Sequence, residues 1–133
     1  MRWTFDIEAA QGQVVTSTIT LTKEAPGRAF VLCVAGTGSD GQAVGATGGA
    51  QWSDGLDAYY TYLGGAEGRT YEREFTFEAP LTSLSFELFH WPSRTAASEG
   101  DVVAHVLRLA AWDRNSSEAE AAVLVLPRPG GAA

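Results

Sequence analysis

The sequence predicts an all-β domain, an antiparallel two-sheet sandwich, jelly-roll-like, with eight or nine strands. Two observations carry that prediction. Apolar and polar residues alternate with a period of two in several separate stretches, which puts every second side chain on one face of a strand. Clusters of Gly, Pro and Asp punctuate these stretches, and helical periodicity is scarce.

The elements follow in order. Trp3, Phe5 and Ile7 alternate with Thr4, Asp6 and Glu8, and after a turn at Gln11-Gly12 the run from Val15 to Thr22 alternates Ile19 and Leu21 with threonines. Each reads as a strand with one wet face. Residues 29–35 are apolar at every position, which suits a central strand covered on both sides. Residues 36–50 contain six glycines and read as a loop around one short strand at 42–45. A tyrosine-rich strand at 58–63 follows.

The next two strands are the clearest. In residues 69–79, Tyr71, Phe75 and Phe77 share a face opposite Thr70, Glu72, Glu74, Thr76 and Glu78; after Pro80, Leu84, Phe86 and Leu88 oppose Ser83, Ser85 and Glu87. Two apolar faces of this kind interdigitate as a sandwich core. Beyond a polar loop at 92–100, residues 101–113 are apolar on both faces. Helix competes with strand here, and Val102-Val103 favours the strand. Residues 118–126 are equally ambiguous. Pro127-Arg128-Pro129-Gly130-Gly131 opens a linker-like tail, so residues 1–126 form the expected single domain and 127–133 lie outside it.

Composition limits the partners. The 133 residues, 45% hydrophobic with 19% charged, suit one globular domain, and the formal charge of −7 with scattered basic residues disfavours nucleic acid and anionic membrane. The lone Cys33 sits in an apolar run and reads as a small buried side chain. No run is long enough to cross a membrane as a helix. The acidic N-terminal stretch does not resemble a signal peptide, so the chain as given reads as cytoplasmic. If it is a fragment, its parent sets the compartment.

Enzyme signatures are sparse, so a non-enzyme is expected. His90 and His105 are the only histidines, too few for a metal-dependent β-barrel enzyme, and both fall where they face the core. No Gly-x-Ser-x-Gly elbow is present, and the glycine run at 36–41 lacks the ending of a phosphate-binding loop. A small hydrolase or isomerase using either histidine with a nearby acid is the least favoured alternative. No cofactor is expected. A structural calcium ion is the one option left open, with Glu8, Asp101 and Asp113 as candidate ligands that lack dense Asp-x-Asp spacing.

What remains is an aromatic constellation. Trp52 lies in a polar stretch beside Asp54 and Asp57, Tyr59, Tyr60 and Tyr62 follow on the next strand, and Trp91 precedes Pro92. Sugar C–H faces stack on aromatic rings while carboxylates bind hydroxyls, so these seven residues are the candidate ligand site, centred on Trp52. Packing competes as an explanation for each ring, since Tyr60 and Tyr62 share one face and Tyr59 takes the other.

Tyr71-Glu72-Arg73-Glu74-Phe75-Thr76-Phe77-Glu78-Ala79-Pro80, then Leu84-Ser85-Phe86-Glu87-Leu88 and Gly100-Asp101-Val102-Val103, resemble the second half of jelly-roll carbohydrate-binding modules. Gly48-Gly49-Ala50-Gln51-Trp52-Ser53-Asp54 with Tyr59-Tyr60-Thr61-Tyr62-Leu63 is similar to β-sandwich accessory domains beside bacterial glycosyltransferases of surface polysaccharide synthesis. The resemblance implies a noncatalytic glycan-binding or accessory role. The alternative is a structural or protein-interaction module that caps a larger assembly or forms a homo-oligomer, its aromatics at the interface.

Overall fold

The computed structural model describes residues 1–64, 68–110 and 120–126. Eleven strands run in chain order: β1 (Arg2–Ala9), β2 (Val15–Leu21), β3 (Phe30–Thr37), β4 (Ala43–Val44), β5 (Ala46–Gly48), β6 (Gln51–Ser53), β7 (Ala58–Leu63), β8 (Thr70–Phe77), β9 (Leu81–His90), β10 (Val102–Ala110) and β11 (Glu120–Leu126). One sheet has the order β1-β9-β3-β7-β6, with β4 also on β3; the other has the order β11-β10-β2-β8-β5. All pairings are antiparallel. Successive long strands mostly switch sheets, as in a jelly roll.

The predicted sandwich is present, and the added strands are short. One short strand is expected at 42–45, whereas β4, β5 and β6 occupy 43–53 with two or three residues each. Pieces this short carry no readable periodicity. Of the two stretches where helix competes with strand, residues 102–110 form β10 and 120–126 form β11, and residues 111–119 lie outside the described residues. The tail at 127–133 lies outside the described residues. Among those described, no helix is long and apolar enough to cross a membrane.

The core forms where the alternating faces meet. Trp3 and Phe5 of β1 pair with Phe86 and Leu84 of β9, while Val15 and Ile19 of β2 pair with Phe75 and Tyr71 of β8, and all of these side chains are buried. Burying a side chain of this size is worth about 1.5–3 kcal/mol. Arg73 breaks the apolar series on the inward face of β8. Its guanidinium donates to the Tyr62 carbonyl of β7 at 3.0 Å, tying one sheet to the other. At the opposite edge, buried Gln13 accepts from the Ala10 N–H at 2.8 Å and donates to the Ala110 carbonyl, linking the end of β1 to the end of β10.

The chain itself crosses from one sheet to the other between β5 and β6. β5 pairs with β8 in one sheet, Gly49 and Ala50 turn the corner, and β6 pairs with β7 in the other. Gly49 has φ 85°, and a Cβ on it would stand 1.8 Å from the Glu74 carbonyl oxygen. Only glycine fits that corner.

Candidate functional site

Register across the β6–β7 turn decides where the seven candidate residues point. Trp52 pairs with Tyr59, and Gln51 with Tyr60. Tyr59 pairs with core residue Val34 of β3, so Tyr59 and Trp52 share the inward side of the sheet, whereas Tyr60 and Tyr62 pair with Cys33 and Val31 on the outward side. The candidates therefore separate into two groups.

On the inward side, Trp52 covers the edge of Tyr59 with ring centroids 5.1 Å apart. Its indole N–H donates to the Asp54 carboxylate at 2.7 Å, and the residue is 51% exposed, a lid on the sandwich edge. Asp57 closes the turn with φ 51°, its N–H donating to the Asp54 carbonyl at 3.3 Å. The Asp54 carboxylate is thus engaged by the indole, and Asp57 takes part in the turn through its backbone.

On the outward side, Tyr60, Tyr62 and Trp91 come together. Tyr60 and Tyr62 meet edge to face at 5.4 Å, and Tyr62 meets Trp91 the same way at 5.6 Å. The Arg28 guanidinium lies over Tyr62, 4.7 Å from its centroid, and that of Arg94 lies over Trp91 at 5.5 Å. A Cβ on Gly55 would stand 3.8 Å from Arg94 Nη2, so Arg94 bridges the loop after β9 and the β6–β7 turn. Sequence spacing gives no hint of Arg28, which comes from a distant loop, whereas Arg94 stands three residues after Trp91 and that proximity is a usable signal.

The recess beside these rings has a simple origin. β6 pairs with β7 only over 58–60, which leaves the next residues of β7 paired with β3 on one side and without a β6 partner on the other. The resulting cleft of about 470 Å³ is lined by Arg28, Gln51, Tyr60 and Tyr62 together with the backbone of the glycine corner. Gln51 accepts from the Tyr60 hydroxyl at 3.5 Å. A second depression of about 320 Å³ lies lower on the same outward face, where Thr4, Ala35, Ala58 and Ser85 are too small to fill the surface between Arg2–Glu87 and Cys33. Arg2 and Glu87 are an ion pair at 3.2 Å.

β3 is buried on its outward side too, although among the described residues no second layer covers it: Val31 is 0% exposed and Cys33 9%. Their cover is the side chains of the flanking strands, Tyr60 and Tyr62 on β7 and Glu87 and Phe89 on β9. Burial pushes the Cys33 thiol up to about 11, and the Glu87 charge adds to the shift. Native protein at pH 8 is expected to react with a disulfide reagent many times more slowly than urea-unfolded protein, in which the thiol is free. Equal rates would show that Cys33 is open to solvent.

The two histidines differ. His105 is fully buried, its Nε2 2.7 Å from the Ser17 hydroxyl, and among the described residues no carboxylate accompanies the pair. His90 pairs with Phe30 at the end of the sandwich instead of lying within the core, and its Nε2 is 3.3 Å from Asp101. Burial raises the Asp101 carboxyl, but hydrogen bonds from the Ser98 backbone and hydroxyl and the adjacent His90 outweigh it and hold the group below its ordinary value. The Asp101 carboxylate stands between the Ser98 hydroxyl and the imidazole, accepting from the hydroxyl at 3.1 Å. The group hydrogen-bonded to Ser98 is thus Asp101 and not the imidazole, so the order of a Ser-His-Asp triad is not reproduced.

For calcium, Asp101 is already engaged by Ser98 and His90, and Asp113 lies outside the described residues. Among the described residues, no group of three or more His, Cys, Asp or Glu side chains is arranged to hold a metal ion.

Comparison with protein-family models, with curated proteins and with solved structures found no match to this chain.

Proposed function

We propose that this sandwich is a noncatalytic carbohydrate-binding module whose site is the outward face of the six-stranded sheet, at Tyr60, Tyr62 and Trp91. The observation that carries the reading is the cleft beside β7, where aromatic faces and hydrogen-bonding groups (Gln51, the tyrosine hydroxyls and Arg28) converge. Stacking supplies affinity for sugar C–H faces, and the polar groups orient the hydroxyls. The rings stand at 67–80° to one another, not coplanar, which suits a bent or single glycan chain better than a flat crystalline array.

Titration of the intrinsic tryptophan fluorescence across a panel of soluble glycans tests this. Binding is expected to shift Trp91 emission, and Tyr62→Ala to weaken it about tenfold or more while leaving the fold intact by circular dichroism. In this reading Trp52→Ala leaves affinity unchanged, since Trp52 is on the other side of the sheet. A panel with no response would remove the reading.

An interaction module is the second reading, favoured by exposed Trp52 on the edge strand β6. Unpaired edges recruit other chains. Its mark would be an oligomer in light scattering that dissociates on Trp52→Ala.

A further inference from the structure

We infer that the cleft takes an anionic sugar, a uronate-type residue whose carboxylate is held by Arg28 and Arg94 while the ring stacks on Tyr62 and Trp91; this rests on the glycan-binding reading above. The chain has a formal charge of −7, with sixteen acidic against nine basic side chains, yet two of its eight arginines flank one aromatic pair. Neither guanidinium forms an ion pair with a carboxylate among the described residues. Elsewhere on the same face the opposite arrangement holds, for Arg2 is neutralised by Glu87 at 3.2 Å.

The donors are unclaimed among the described residues. Neither the Arg28 nor the Arg94 guanidinium donates a hydrogen bond to a described residue, while the central carbon of each lies over a ring. The edge of a guanidinium binds a carboxylate with two parallel hydrogen bonds. Stacking on Tyr62 and Trp91 also limits the rotamer freedom of both arginines, so less entropy is lost when an anion binds. Arg28 lines the cleft itself, and Arg94 lies over the Trp91 ring beside it. A neutral glycan would satisfy the rings and leave both charges unmatched. Asp54, the nearest acid to Trp52, is turned to the indole N–H on the inward side, so it does not supply the missing partner.

The test is calorimetric or fluorescence titration of the whole chain with oligogalacturonate, the same oligomer after reduction of its carboxyl groups, dextran sulfate and poly-glutamate. Oligogalacturonate is expected to bind at least about tenfold more tightly than its reduced form. Arg28→Gln/Arg94→Gln should abolish that preference while retaining the weak binding of the reduced form, and Tyr62→Ala should weaken both. Binding of dextran sulfate with the same dependence on the two arginines supports the anionic-sugar assignment and makes sulfate the group recognised. Equal binding of charged and reduced oligomers overturns the inference and leaves the glycan-binding reading standing. Poly-glutamate binding as tightly as oligogalacturonate overturns it in favour of an acidic peptide. Silence from every ligand overturns the inference together with the reading beneath it.

Discussion

Gly49→Ala is expected to destabilise the domain by more than about 3 kcal/mol, a drop of about 10 °C or more in melting temperature for a chain of this size. The reason is steric and local. Gly49 stands at φ 85° where the chain passes from β5 in one sheet to β6 in the other, and a Cβ there would sit 1.8 Å from the Glu74 carbonyl oxygen and 3.1 Å from a ring carbon of Phe75. The left-handed backbone alone costs roughly 1–2 kcal/mol with an ordinary side chain. The clash adds the larger part, because the obstructing atom is backbone in a paired strand and cannot rotate away. Gly41→Ala separates the two contributions: Gly41 has φ 78° and nothing within 4 Å of its Cβ position, so only the conformational cost applies. Equal melting temperatures for the two variants would show that the corner yields. The corner also frames the cleft, so Gly49→Ala is expected to disturb Tyr60 and Tyr62 as well.

That corner marks where sequence reading stops working. The long strands are legible because each has enough alternating positions to show which face is buried, as Leu84, Phe86 and Leu88 against Ser83, Ser85 and Glu87 do. The uniform apolar character of residues 29–35 is legible as burial on both faces. Its cause is not, since the outward cover comes from the sheet's own tyrosines and Phe89, and sequence would suggest another layer. The candidate site is legible in composition and not in geometry. Period two separates Tyr59 from Tyr60 and Tyr62, but the side taken by Trp52 depends on the register through residues 54–57, which places it opposite Tyr59. Joining Trp91 to Tyr62 needs the order of three strands, β9-β3-β7, and no local pattern encodes that order.

Stability is expected to fall as pH drops from about 7 to 5, by roughly 2 kcal/mol, through His105. Its imidazole lies in the middle of the sandwich against Trp3, Phe5 and Phe86, with ring centroids 4.7, 5.3 and 4.8 Å away. Burial pushes its pKa from 6.5 down to about 3. Between those values the unfolded chain binds a proton that the folded chain refuses. Stability is therefore complete above about 6.5 and declines by about 1.4 kcal/mol per pH unit as pH falls toward 3. The site has little with which to stabilise the cation. Ser17 engages Nε2, and Nδ1 has no hydrogen-bond partner in either neutral tautomer, as is also true of the buried Trp3 indole N–H. Urea unfolding at a series of pH values measures the slope. Ser17→Ala/His105→Leu should flatten it between pH 7 and 5. The double variant should also match or exceed the parent at pH 8, because it removes an unsatisfied buried polar atom together with its partner. A parent whose stability does not change between pH 7 and 5 would mean that the core admits the protonated ring, which the aromatic enclosure argues against.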